Sequence, residues 1–319
     1  MTGSKHGRNP AGWLAKALMT LAIGLFVAWM AWPGDERAPR EGSIRVLLIP
    51  ADGGTANGTL ADFRPLFATL TRITGLRFDL TVTQSYSAAV EGICAGTADM
   101  AFVGPAAYLQ ARQRDCAKLL AVGVKHGKSR YYAGIFVPDG SPVHELGDLR
   151  GRRMAFGDVN STSSFLMPVA MLQDAGIDPA RDLSAIRLTG SHPNSLSALL
   201  QGRVDAAAFS LDAYDRALRM KMPGAERLRI VARSEAMPYP PFIVSTRLDP
   251  AIQERLRQGF AQLSREAERH AQPVPGYAGS MIESYSTTLD DRAFDRMAER
   301  LSRVTPATKA ALLRRAAEH

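Results

Sequence analysis

Phe156-Gly157-Asp158-Val159-Asn160-Ser161-Thr162-Ser163-Ser164-Phe165 is the stretch whose reading decides the fold. Met154 to Phe156 is a short apolar run that reads as a strand, and from Asn160 to Ala175 the apolar spacing becomes helical, with Gly176 as its stop. A strand feeding a helix through a polar turn is half of a βαβ unit, and repeated units of this kind imply a mainly parallel sheet covered by helices. Ser161 to Ser164 also place four hydroxyls at the helix start, where backbone N–H groups lack intrahelical partners and a partial positive charge favours an anion. Capping alone needs one such residue, Asn160 or Ser161, so the run exceeds what the helix requires.

Downstream, Ile186 to Leu188 reads as a strand, Asn194 to Gly202 as a helix, Asp205 to Phe209 as a strand, Asp212 to Met220 as a helix and Leu228 to Ala232 as a strand. Upstream, Ile44 to Pro50 is a strand-like run followed by the Gly-rich loop Ala51 to Gly58 and a helical pattern from Leu60 to Thr74, closed by Gly75. Leu76 to Thr83, Asp99 to Val103 and Leu119 to Lys125 read as strands, with helices at Tyr86 to Gly96 and Pro105 to Arg114 between them. The chain therefore repeats one βαβαβαβ pattern twice. After Pro238-Tyr239-Pro240-Pro241, the strand Phe242 to Ser245 and the amphipathic segment Pro250 to Ala267 look like a return to the first unit. The expected organisation is lobe 1 over 44–137 and 240–319, lobe 2 over 138–239, and a shared cleft at the carboxyl ends of the strands.

Twenty residues from Trp13 to Trp32 carry one charge, Lys16, and end in tryptophans, as in a helix spanning about 30 Å of hydrocarbon. Lys5 and Arg8 precede the run, which predicts a cytoplasmic tail over 1–12, a transmembrane anchor over 13–33 and a linker over 34–43, with the remainder exported. A cleaved signal peptide is the alternative, although Ala28-Trp29-Met30-Ala31-Trp32 sets bulky residues where a small-x-small site is needed. The expected location is the periplasmic side of the inner membrane, tethered, or the periplasm if the segment is cleaved. Cys94 and Cys116 suit an oxidising compartment as a disulfide worth roughly 3 kcal/mol. Two buried thiols are the other reading.

The net charge of +8 is spread along the chain and aromatics are only 7%, so the clustered basic face with stacking rings that nucleic acid needs is missing. No G-x-S-x-G, H-E-x-x-H or C-x-x-C occurs, and the six histidines are scattered without metal-ligand spacing. No catalytic residue, metal or cofactor is expected. His192, in Gly190-Ser191-His192, either donates to an oxyanion that favours its protonated form or is a surface histidine in a turn. Tyr86 offers a phenol to the cleft or simply packs, and Asp212 either caps its helix or meets a cationic part of a ligand.

Tyr86-Ser87-Ala88-Ala89-Val90-Glu91-Gly92 and Gly96-Thr97-Ala98-Asp99-Met100-Ala101-Phe102-Val103-Gly104-Pro105 are followed, in order, by Asp148-Leu149-Arg150-Gly151, Asn160-Ser161-Thr162-Ser163, Gly190-Ser191-His192 and Gly202-Arg203-Val204-Asp205. This series resembles the phosphate/phosphite/phosphonate-binding periplasmic proteins over about Ile44 to Phe260. The resemblance implies the α/β type II periplasmic-binding fold and a monomer that delivers ligand to ABC permease subunits. Reporting to a membrane sensor kinase is the alternative that the tether suggests. It implies that Ser161, Thr162, Ser163 and His192 hold the oxygens of a small phosphorus oxyanion and that Tyr86 reaches across. Asp212 matches one acidic position that aminoalkylphosphonate binders use for the ligand's ammonium. The other falls near Tyr239-Pro240-Pro241, which has no carboxylate, and Val103 stands where those relatives carry a tyrosine. Phosphite, phosphate, methylphosphonate or another small phosphonate is therefore expected over an aminoalkyl compound.

Overall fold

The computed structural model describes residues 42–50, 55–270, 274–275 and 281–318. The expected anchor at 13–33 with its flanking tail, the linker up to residue 41, and residues 51–54 of the Gly-rich loop lie outside the described residues. Among the described residues, no helix is long and apolar enough to cross a membrane.

The first sheet begins with β1 (Ser43–Leu48), β2 (Arg77–Val82), β3 (Met100–Phe102) and β4 (Ala117–Val124). Helices α1 (Ala56–Thr74), α2 (Tyr86–Ala95) and α3 (Pro105–Gln113) connect them. Thr55 caps α1 by accepting from Gly58 N–H at 3.1 Å, so the helix starts a turn earlier than its apolar spacing suggests. Gly75 ends it in the left-handed region at φ 69°, where glycine adopts the turn without strain. Gly92 is needed for close approach, since a Cβ there would sit 2.4 Å from Leu47 Cδ1 on β1.

The chain crosses to the second lobe through β5 (Arg130–Tyr131) and β6 (Ala133–Pro138). There β7 (Arg153–Phe156), β8 (Ala185–Leu188), β9 (Ala206–Ser210) and β10 (Leu228–Arg233) are linked by α4 (Met167–Asp174), α5 (Pro179–Asp182), α6 (His192–Leu200) and α7 (Leu211–Arg219). It returns through β11 (Met237–Pro238) and β12 (Pro241–Ser245). The short pair β13 (Val274–Pro275) and β14 (Met281–Ile282) follows α8 (Pro250–His270), and β15 (Ser284–Ser286) then closes the first sheet.

Strand order is β15-β4-β12-β3-β1-β2 in the first sheet and β10-β6-β9-β7-β8 in the second. In each, the opening strand lies between the next two in parallel register. In each, one reversed strand also separates the third strand from the fourth. That strand is β12 in the first sheet and β6 in the second, antiparallel to both neighbours. Both reversed strands come straight from a crossing, so each lobe's sheet is completed by the chain arriving from the other. Pairing of β5 with β11 ties the two crossings side by side.

Phe63, Phe102, Phe242, Phe260 and Tyr285 form a continuous aromatic core with centroid spacings from 4.8 to 6.0 Å, which clamps β12, β15 and α8 onto the first lobe. In the second lobe Phe136 stacks on Phe209 at 4.0 Å, in space kept open by Gly134. Cys94 and Cys116 are joined as a disulfide, Cα atoms 4.9 Å apart, linking the end of α2 to the start of β4.

Two boundaries differ from those read along the sequence. The limit at 137 falls inside β6, which belongs to the second sheet, because its direction follows from the crossing and leaves no local signal. Residues beyond 290, expected on lobe 1, reach onto lobe 2. Phe294 packs on Tyr108 and Arg112 pairs with Asp295 at 2.6 Å, but α9 (Asp295–Leu301) leads Arg303 to Asp174 at 2.9 Å. The last helix, α10 (Pro306–Ala317), then lies on α5 and β8, with Arg315 donating to Ala180 and Leu183 carbonyls.

Candidate functional site

The loops after β7, β8 and β9 gather at one edge of the second sheet because those strands are adjacent and parallel. After β7, Gly157 N–H donates to Ser164 O at 3.0 Å, and Ser161 N–H donates to Asp158 O at 2.8 Å. Ser161 Oγ accepts from Ser164 N–H at 3.2 Å and from Ser164 Oγ at 2.7 Å. The expected helix over 160–175 begins as a π-helical turn, Thr162–Leu166, before α4. This wider turn keeps Ser161 to Ser164 buried at the tip, each about 1% exposed. Ser161 is thus the helix cap. Ser163 is buried in the first turn beyond that cap.

His192 opens α6 and is 1% exposed, which removes the surface-turn reading. The Ser210 backbone N–H donates to His192 Nδ1 at 3.1 Å, so Nδ1 holds the lone pair and the ring proton sits on Nε2. Burial pushes the ring down to about 3, far below its ordinary value. His192 is therefore a neutral, single-donor imidazole. The expected imidazolium would set a second proton against the Ser210 N–H.

From the first lobe come the junctions β2–α2 and β3–α3. Ala106 N–H, in the first turn of α3, donates to Thr162 Oγ1 at 2.9 Å. A Cβ on Gly104 would lie 3.3 Å from Tyr86 Cε1 and 3.5 Å from Thr162 Oγ1, so these three residues meet across the cleft. Tyr86 N–H donates to Asp158 Oδ2 at 3.1 Å, and Asn160 Nδ2 donates to Ser87 Oγ at 2.7 Å. Burial pushes the Asp158 carboxyl up, while the Asn160 and Tyr86 N–H groups and Lys309 act in the opposite sense. Val103 is fully buried with its N–H on Pro241 O at 3.1 Å, and its aliphatic side chain has no donor to offer.

Asp212 lies in the first turn of α7, but Ser210 supplies the cap, accepting from Ala213 N–H at 3.1 Å. Asp212 Oδ1 instead meets Lys125 Nζ at 2.9 Å and the Tyr239 hydroxyl at 3.4 Å. One turn along the same helix, Arg216 forms a two-pronged pair with Asp62 of α1 at 2.5 and 3.1 Å. The two lobes are thus bonded to each other on both sides of the site.

Thr162, Tyr86 and Gly104 converge across the lobes, while Ser161, His192 and Asp212 each stand at one of the three gathered loops. Lys125, Asp158 and the Asp62–Arg216 pair were not singled out from the sequence. Lys125 had one available signal, its place as the last residue of a strand before the second unit. Among the described residues, no group of three or more His, Cys, Asp or Glu is placed to hold a metal ion.

The family model for the ABC transporter, phosphonate, periplasmic substrate-binding protein matches residues 55–277. The chain belongs to this family. Members are the periplasmic substrate-binding components of ABC importers, a family of transport proteins and not of enzymes. This phosphonate-family binding protein is 30% identical over 235 residues to the phosphate-import protein PhnD of Mycolicibacterium smegmatis, covering 69% of this chain and 71% of the relative. Its fold matches a binding protein component of an ABC phosphonate transporter from Pseudomonas aeruginosa, with TM-score 0.72 and 19% identity over 87% of this chain and 97% of the other. It also matches PhnD1 of Prochlorococcus marinus in complex with methylphosphonate, with TM-score 0.71 and 18% identity over 82% of this chain and 98% of the other. Both structures have the two-lobed periplasmic-binding architecture found here.

Proposed function

We propose that this binding protein captures a small phosphorus oxyanion, such as phosphite, phosphate or methylphosphonate, between its lobes and presents it to ABC permease subunits. Thr162, Ser163 and His192 hold the oxygens with neutral donors, Ser161 shapes their helix start, and Tyr86 and Val103 line the opposing lobe. Asp212 forms the wall beside the crossings. A monomer, tethered by 13–33 at the periplasmic face of the inner membrane, would carry out this role.

The observation that carries the reading is the meeting of two helix starts at one buried, hydroxyl-rich point, where Ala106 N–H reaches Thr162 Oγ1. Oriented N–H and O–H dipoles in a closed site stabilise an oxyanion without a neutralising cation. Isothermal titration of residues 43–319, which lie within one compact unit, against phosphite, phosphate and methylphosphonate tests it. Binding of at least one of these with loss on Ser163→Ala supports the reading, and no heat from any of them rejects it.

A further inference from the structure

We infer that Lys125 sets which phosphorus oxyanions this cleft accepts, by placing the protein's own ammonium on Asp212 and so excluding ligands that carry an ammonium of their own. The inference rests on the reading of the cleft as a phosphorus-oxyanion site and adds to it the residue that selects within that class.

Asp212 is 5% exposed and follows by two residues the Ser210 N–H that fixes His192, which places it on the loop after β9 beside the proposed site. A buried carboxylate needs a partner. Here the partner is internal. Lys125, immediately after β4 at the start of the first crossing, brings Nζ to 2.9 Å from Asp212 Oδ1 and 3.9 Å from Asp215 Oδ2. Tyr239, at the end of the second crossing, donates to the same Asp212 oxygen at 3.4 Å. Both crossings therefore converge on one carboxylate, and the lysine that reaches it is itself mostly covered, with 24% of its side chain exposed.

Two consequences follow for recognition. A ligand ammonium directed at Asp212 meets a carboxylate already compensated by a cation less than 3 Å away, and it would be repelled at short range by that cation. A ligand without an ammonium meets no such opposition. Selection of this type works by an unfavourable contact with the wrong ligand, while the oxyanion contacts stay common to both.

The experiment titrates the full chain, in a neutral detergent, with methylphosphonate and 2-aminoethylphosphonate. The wild-type protein is expected to favour methylphosphonate by at least about tenfold, the size of one close unfavourable charge contact at a partly exposed site. Lys125→Met keeps the apolar stem and removes the charge, and it should shift the ratio of the two affinities toward the amino ligand by about tenfold or more. Lys125→Arg should leave the ratio near that of the wild type. Were the pair only a brace between the lobes, Lys125→Met would weaken both ligands by one factor and leave the ratio unchanged, which overturns the inference while the oxyanion reading stands. Equal wild-type affinity for the two ligands overturns it without any variant. Failure of the wild type to bind either ligand, or phosphate and phosphite, removes the oxyanion reading and this inference together.

Discussion

The two halves of the cleft are built on the same strand order but present different chemistry. In the second lobe, the loops after β7, β8 and β9 offer side chains, with Ser161 to Ser164, His192 and Asp212 all nearly buried. In the first lobe, the described junctions after β2 and β3 contribute a backbone N–H at Ala106, the bare Gly104, the Tyr86 ring and an aliphatic Val103. One half presents hydroxyls and an imidazole, and the other presents mainly main chain. A side-chain substitution can therefore delete a donor from the second lobe, whereas the Ala106 contribution survives any change of its own side chain except proline.

Thr162→Val breaks this comparison most directly, because it removes a hydroxyl from the site and leaves the buried Ala106 N–H without its acceptor. The expected loss of oxyanion affinity is about 3 kcal/mol, roughly a hundredfold, measured by titration calorimetry. A change below threefold would mean that the second lobe does not dominate.

The next effect concerns His192 and pH. Its pKa in the fold is about 3, and an unfolded histidine titrates near 6.5. Below pH 6.5 the unfolded chain takes up a proton that the folded chain refuses, so the His192 contribution to stability is full above that pH and lost as pH falls toward 3. His192→Asn retains an acceptor for the Ser210 N–H and cannot titrate. Urea unfolding at pH 7 and pH 5 should show the wild type losing about 2 kcal/mol more than the variant over that interval. Identical pH dependence would contradict the neutral, buried ring.

The smallest difference compares glycines in the two lobes. A Cβ at Gly157 would lie 2.1 Å from Ser164 Oγ and 2.9 Å from Ser164 Cβ, so the hydroxyl loop must move. At Gly104 the nearest atom is 3.3 Å away, on the Tyr86 ring. Gly157→Ala should therefore reduce affinity and unfolding free energy more than Gly104→Ala, by about 1 kcal/mol in each comparison, read by titration calorimetry and urea unfolding. Equal effects from the two would show that the first-lobe wall is as tightly fitted as the second.

Local signals carried much of this molecule. The apolar runs at Ile44 to Pro50 and Met154 to Phe156, the stops at Gly75 and Gly176, and the hydroxyls at Ser161 to Ser164 each report on chemistry within a few residues, and the strands and helices they predict are present. The π-helical turn at Thr162–Leu166 was hidden because its side chains are spaced as in an ordinary helix start. Asp212 shows the limit more clearly. Its acidic character and its place at a helix start were legible, but its partner lies 87 residues away at Lys125.

The sequence by itself determined the α/β alternation, the two-lobed repeat, the family signature and the hydroxyl-rich helix start, because these depend on periodicity and on neighbours along the chain. Only the tertiary structure decided that β6 and β12 run reversed in the other lobe's sheet, that the last helix rests on lobe 2, and that Cys94 and Cys116 are bonded. It also decided the state of two groups at the proposed site. His192 is neutral because burial disfavours its charged form and a backbone N–H from another strand fills Nδ1, and Asp212 is compensated because both crossings deliver a donor to it. Protonation and pairing depend on burial and on distant partners, and those come into being only when the strands are brought together.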